Sequence, residues 1–233
     1  MDRVVGGRAM VLAPVVGVVI GGVAAGVIAV AQLVKPEADL LAAVLGVLVI
    51  AGLSGGLHLD GLADFSDALG SRRDRETMLR IMKQSDIGPF GVVAIVGVLL
   101  LDVAALTACI QSGFGWQAVL IATTASRLTL PWSCRTSVPA ARPDGLGTFV
   151  AGTVRPLTAG VAAAVVLAAA LAVTWPSPNR LAGSAAAVLL AVATSLATTR
   201  RARTALGGTT GDVLGATIEL ALPLALLTLA LTV

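Results

Sequence analysis

Seven long runs dominated by Ala, Val, Leu and Gly, at residues 10–34, 40–57, 89–110, 116–133, 157–175, 181–197 and 213–231, constrain this chain more than any other feature. Each is close to the ~20 residues that an α-helix needs to cross the hydrocarbon core, with the second and sixth near the lower limit. None alternates apolar and polar residues with the period of two that a barrel strand requires, so the runs predict helices. What lies between them cannot coat a soluble core: charged residues make up 12% of the chain, against about 25% in a soluble domain. Aromatic residues are 3% and Tyr is absent, so the helices must pack through small and aliphatic side chains, which suits close approach in lipid. The expectation is an all-α, polytopic membrane helix bundle: one integral membrane domain over residues 1–233. The first run reads as a retained span, because Lys35-Pro36 follows it where a cleavable leader would have small residues. Trp116, Trp132 and Trp175 fall at span ends, where an amphipathic ring prefers to sit. Cys109 and Cys134 fall near opposite helix ends and are expected to be free.

Charge fixes the orientation. On the seven-span reading, Lys35 and Arg180 lie on one side, Arg127 lies within a span, and the other thirteen of the sixteen basic residues share the second side. The positive-inside rule then puts the N-terminus in the cytoplasm and the C-terminus outside, in a multi-pass protein of the cell (inner) membrane. The longest connection, residues 58–88, is cytoplasmic on this reading and holds six of the thirteen acidic residues. Its apolar positions recur with helical spacing, predicting a helix hairpin at the membrane surface.

That connection opens with Gly55-Gly56-Leu57-His58-Leu59-Asp60-Gly61-Leu62-Ala63-Asp64-Phe65-Ser66-Asp67. Asp60, Asp64 and Asp67 are spaced i, i+4, i+7 and share one helix face. Carboxylates so close repel and raise one another's pKa. A hard cation relieves the repulsion, and Mg²⁺, which binds through a few carboxylates and completes its shell with water and substrate phosphates, suits the set. A plain acidic stripe on a solvated helix would lack the flanking Leu57, Leu59, Leu62 and Phe65, and carboxylates held in apolar surroundings beside a membrane are functional by default. His58, the chain's one histidine, is a structural residue, a base or a partner that orients one. No Cys/His spacing typical of a zinc site occurs.

Arg72, Arg73, Arg75, Arg80 and Lys83 follow. They hold the connection inside and touch anionic lipid; Arg80 and Lys83 are also candidates for gripping substrate phosphate. Near the C-terminus, Gly207-Gly208-Thr209-Thr210-Gly211-Asp212 opens the final span. Such a turn is either a simple cap or an anion-binding row of backbone amides, which makes Gly207, Gly208 and Thr210 candidate substrate residues. Glu219, seven residues after Asp212, lies on the same helix face. On the topology above, Asp212 and Glu219 reach the level of the first acidic cluster, pointing to one shared metal site. Arg127 supplies a counter-charge to these intramembrane acids.

These motifs carry a resemblance. Gly55-Gly56-x-His58-x-Asp60-Gly61-Leu62-Ala63-Asp64-x-x-Asp67, then Ile81-Met82-Lys83, Ile87-Gly88 and Phe90-Gly91, resemble the cobalamin synthase (adenosylcobinamide-GDP ribazoletransferase) family. So do Ala141-Arg142-x-x-Gly145-Leu146-Gly147, and Gly207-Gly208-x-Thr210-Gly211-Asp212-x-Leu214-Gly215-Ala216 followed by Glu219. The likeness runs from Arg8-Ala9-Met10 to the end. Gln84 stands where the family usually has Asp, so no ligand role carries over there, and Ala68 and Asp102 stand where Gly and Lys are common. The resemblance implies a Mg²⁺-dependent membrane enzyme that joins adenosylcobinamide-GDP to α-ribazole, or α-ribazole 5′-phosphate, and releases GMP. It implies Asp60, Asp64, Asp67 and Asp212 as metal ligands, Asp67 or His58 as the group that takes the ribazole proton, and Arg142 as a further substrate residue beside Arg80, Lys83, Arg127 and Glu219.

Two other classes compete. CDP-alcohol phosphotransferases also space aspartates on a cytoplasmic helix face, but their Ala-Arg after the first Asp-Gly is missing here. A cation transporter or channel would place acids near mid-membrane on several helices, whereas these gather at one face; a carrier that binds the nucleotide–cobamide without turnover is a third reading. The lipid bilayer is the expected surrounding, no nucleic-acid partner is expected, and a homo-oligomer is left open.

Overall fold

The computed structural model describes residues 2–233. Ten helices follow one another: α1 (Arg3–Val34), α2 (Asp39–Leu53), α3 (Leu57–Gly70), α4 (Arg75–Ile81), α5 (Pro89–Gln111), α6 (Gly115–Ser133), α7 (Leu146–Val150), α8 (Pro156–Thr174), α9 (Pro178–Leu206) and α10 (Gly211–Ala230). Among the described residues extended pairing is confined to two isolated bridges, Arg135 with Val154 and Ala140 with Thr209.

Five helices, α1, α5, α8, α9 and α10, are long and apolar enough to cross a bilayer, and a sixth crossing results if α2 and α3, which meet at 85°, count as one broken span. The chain turns between α2 and α3 on Gly55 and Gly56, both at positive φ (61° and 71°), a region that costs a residue with a Cβ ~1–2 kcal/mol. The sequence reading ran the second span to residue 57; the helix stops at Leu53 instead. α3 and α4 form the helical hairpin expected of residues 58–88.

α6 sits at the centre. It carries Gln117, Thr123, Thr124, Ser126, Arg127 and Thr129 and is buried along most of its length, packed by α1, α5, α8, α9 and α10. A helix shielded from lipid on all sides does not need an apolar surface, so its composition falls short of a span's although its 19 residues do not. α1 approaches α6 through Gly17 and Gly21; a Cβ at Gly17 would lie 2.5 Å from the Thr123 carbonyl oxygen. Along their middle stretches α1, α5 and α8 expose apolar side chains (Val15, Val19, Val93, Leu100, Val161, Val165), a surface fit for acyl chains rather than water.

One end of the bundle gathers the N-termini of α1 and α10, the C-termini of α6 and α9, and α3, α4 and α7. Arg3 at the start of α1 donates to the carbonyls of Thr148 and Ala151. Ala141 donates to the Thr209 carbonyl and Thr209 to that of Pro139. The opposite end holds Lys35 and Arg180, whose guanidinium stacks 4.7 Å from the Phe114 ring.

Candidate active site

α3 and α10 cross at backbone contact. A Cβ on Gly61 would stand 2.7 Å from the Asp212 carbonyl oxygen, and one on Gly215 would stand 3.0 Å from the His58 Cα. The two glycines therefore bring the face carrying Asp60 and Asp64 against the first turn of α10, which carries Asp212. Burial, followed by the charges of Asp60, Asp212 and Asp67, pushes the Asp64 carboxyl up to about 7, against a smaller opposing pull from Arg142. Asp60, Asp212 and Asp67 thus lie within electrostatic reach of Asp64, with Arg142 the opposing cation. Arg142 Nη2 lies 3.9 Å from Asp212 Oδ2 and donates to the Leu79 carbonyl on α4 at 3.1 Å. Arg142, Asp144, Leu146 and the 209–212 turn line a cavity of about 140 Å³ beside Asp212.

Asp67 faces elsewhere. Its Oδ2 accepts the Gly88 N–H at 2.7 Å and its Oδ1 the Gly91 N–H at 2.9 Å. Gly88 is the N-cap residue of α5 and has no side chain to cap with, so Asp67 supplies the acceptor for two amides that the helix cannot satisfy itself. The negative charge also sits at the favourable end of the α5 dipole.

The 207–210 turn has a clear local role. Gly207 ends α9 in the left-handed region at φ 81°, and Gly208 lets the 139–141 segment pass so close that a Cβ there would meet the Pro139 carbonyl oxygen. Thr210 caps α10, accepting the Val213 N–H at 3.2 Å and donating to Asp212 Oδ2 at 3.2 Å. Lys83 reaches across to Asp144 at 3.0 Å, both groups exposed; Arg80 is exposed, in the last turn of α4. The sequence reading gave Arg75 a topological role only, whereas it donates to the Ala141 carbonyl at 3.0 Å, and it passed over Asp144. Their partners are 66 and 61 residues away, and only the Ala141-Arg142-x-x-Gly145 segment flagged that neighbourhood.

Deeper in the bundle, His58 Nδ1 lies 3.6 Å from Glu219 Oε1. Glu219 (α10), Asp102 (α5) and Arg127 (α6) are buried and within electrostatic reach of one another. Arg127 Nη1 donates to Ser126 at 2.9 Å, while its Nε and Nη2, and both oxygens of Asp102, have no hydrogen-bond partner among the described residues. Among the described residues Arg127 makes no direct ion pair, and Glu219 and Asp102 are the acids within its electrostatic reach.

Three comparisons bear on this arrangement. The sequence profile of a family described as cobalamin-5-phosphate synthase matches residues 1–230. A protein of Frankia casuarinae named adenosylcobinamide-GDP ribazoletransferase is 41% identical over 100% of this chain and 88% of its own length. Proteins of the same name from Pseudomonas paraeruginosa and Acetivibrio thermocellus are 40% and 35% identical, over 97% and 92% of this chain and 87% and 83% of their own lengths. No solved structure matches the chain.

Proposed function

The chain belongs to the cobalamin-5-phosphate synthase family, and we infer that it is an adenosylcobinamide-GDP ribazoletransferase. It transfers the adenosylcobinamide phosphoryl group from adenosylcobinamide-GDP to α-ribazole, or α-ribazole 5′-phosphate, forming adenosylcobalamin or its 5′-phosphate. The ribazole hydroxyl oxygen bonds to the cobinamide-bearing phosphorus, the bond from that phosphorus to GMP breaks, and the hydroxyl proton passes to the protein. The observation that carries this reading is the close crossing of α3 and α10 at Gly61, which sets Asp60 and Asp64 within electrostatic reach of Asp212 and of its neighbour Arg142.

The donor set fits Mg²⁺. It consists of oxygens only, and burial, followed by the neighbouring carboxylates, raises the Asp64 carboxyl to about 7, so a cation would compete with a proton there. Among the described residues no three His, Cys, Asp or Glu side chains stand close enough to hold a metal ion, so the reading requires the α3 and α10 carboxylates to draw together on the cation, with substrate phosphate and water completing its shell. Asp60, Asp64 and Asp212 would hold it; once bound, it offsets the negative charge of the diphosphate and of the departing GMP. Asp67, with both oxygens on α5 amides, serves this reading best by fixing α3 in place.

Arg142 grips a phosphate oxygen beside Asp212. Lys83 exchanges Asp144 for phosphate at little cost, because solvent screens an exposed pair, and Arg80 flanks it. His58 takes the ribazole proton; Glu219 lies 3.6 Å from its Nδ1, which has no hydrogen-bond partner among the described residues, so the carboxylate acts on the ring through its charge. Counting α2 and α6 as crossings restores seven spans, with the acidic site at the cytoplasmic surface of the inner membrane. The concentration of Arg and Lys at the site's end of the bundle supports that orientation.

The test is GMP release by purified protein in detergent. It should require adenosylcobinamide-GDP, α-ribazole and Mg²⁺ together; release without α-ribazole would make the protein a hydrolase, and none under any condition would remove the transferase reading.

A further inference from the structure

Beyond its reaction, we propose that the groove between α1 and α8 binds the phosphate head of an anionic phospholipid. The groove encloses about 890 Å³ and is ringed by Arg3, Arg8 and Arg155, with the hydroxyls of Thr153 and Thr158 between them. No carboxylate pairs with any of the three guanidiniums among the described residues. Arg3 is pinned by its bonds to Thr148 and Ala151, whereas Arg8 and Arg155 are exposed. Three cations facing one space without a counter-charge repel, and a bound anion reverses the sign of that term.

The walls say which anion. Val11 and Leu12 line the groove, and α1 and α8 continue from it with exposed Val15, Val19, Val161 and Val165. A ligand with a phosphate at the arginines and acyl chains along those valines satisfies both halves of the surface. A soluble phosphate satisfies only the first. Basic pockets between helices at the cytoplasmic end of a bundle select anionic headgroups on the same grounds. α7 separates this groove from the acidic site: the Val150 side chain and Phe149 carbonyl pack on Gly6 of α1, while Gly147 packs on Thr209 and Thr210.

The experiment uses the purified full chain in a neutral detergent, read by its thermal unfolding midpoint. Short-chain phosphatidylglycerol, short-chain phosphatidylcholine and sodium phosphate are titrated separately. Phosphatidylglycerol should raise the midpoint, with phosphatidylcholine and phosphate inert over the same range. The Arg8→Gln/Arg155→Gln variant should need about 30-fold more phosphatidylglycerol for the same effect. Arg200→Gln/Arg201→Gln, which removes equal charge elsewhere on that end, should titrate as the parent. Thr158→Trp, which fills the groove and leaves every charge, should also lose the response, and covers the case in which the arginine variant does not fold. A parental response from both groove variants, or equal protection by phosphatidylcholine or by phosphate alone, would overturn the proposal. None of these readings depends on turnover, so they stand apart from the transferase test.

Discussion

Asp64 and Asp67 lie one helical turn apart and answer to different surroundings. A carboxyl whose folded pKa, about 7, lies above its unfolded value of 3.8 favours the folded state in its protonated form. The contribution is complete below the unfolded value and is lost as pH rises through the folded one. In metal-free buffer the protein should therefore lose stability as pH rises from about 4 to 7. A divalent cation must displace the Asp64 proton, so Mg²⁺ should bind roughly tenfold more weakly at pH 6 than at pH 8. Asp64→Asn should flatten that dependence, and a flat profile in the parent would remove Asp64 from the cation site. For Asp67 the expectation is structural: Asp67→Ala should cost about 2 kcal/mol in metal-free buffer, through two uncapped α5 amides. An unchanged unfolding midpoint would release Asp67 from the cap and return it to the ligand set. The sequence spacing put all three aspartates on one face, which helical geometry guarantees. It could not show that α5, more than twenty residues on, would claim the third, although Gly88-Pro89 with no capping side chain was a sign that an outside acceptor was needed.

Among the elements, the α3–α10 crossing decides whether there is a site at all. Gly61→Ala places a methyl 2.7 Å from the Asp212 carbonyl oxygen, so the helices must separate, at a cost of about 1–3 kcal/mol. Activity should fall by more than the stability loss explains, because Asp212 moves away from Asp60 and Asp64. Gly52→Ala, in α2 with nothing within 4 Å, should be neutral or slightly stabilising; equal behaviour of the two variants would deny the close crossing. Apolar periodicity located every long helix, since lipid contact writes itself into composition. It misjudged ends. α1 starts at Arg3 and α9 runs to Leu206, because a helix continues past the hydrocarbon boundary wherever neighbours or solvent satisfy its polar face. α6 reads as an ordinary span by length, and its central place is legible only in retrospect from its Thr, Ser and Arg content.

For the molecule as a whole, the asymmetric distribution of Arg and Lys was legible at once, and it coincides with the end where α3, α4, α7 and the α10 N-terminus assemble. Single cysteines in place of Arg73 and Lys35 should be reached by an impermeant thiol reagent from opposite sides of sealed vesicles, position 73 from the cytoplasmic side. The native Cys109 and Cys134 are buried and should stay silent. Labelling of position 73 from outside would invert the orientation. What composition could not reveal is the meeting of Asp102, Arg127 and Glu219 from three helices, which depends on how α5, α6 and α10 rotate against each other.

The proposed function depends on carboxylates from α3 and α10 acting as one cation site on the diphosphate. The most direct measurement is the rate of GMP release by Asp60→Asn and Asp212→Asn proteins that keep the parental unfolding midpoint, across a Mg²⁺ titration. Each should lose at least about 100-fold in kcat, with no recovery at high Mg²⁺. Parental rates from either variant would contradict the account.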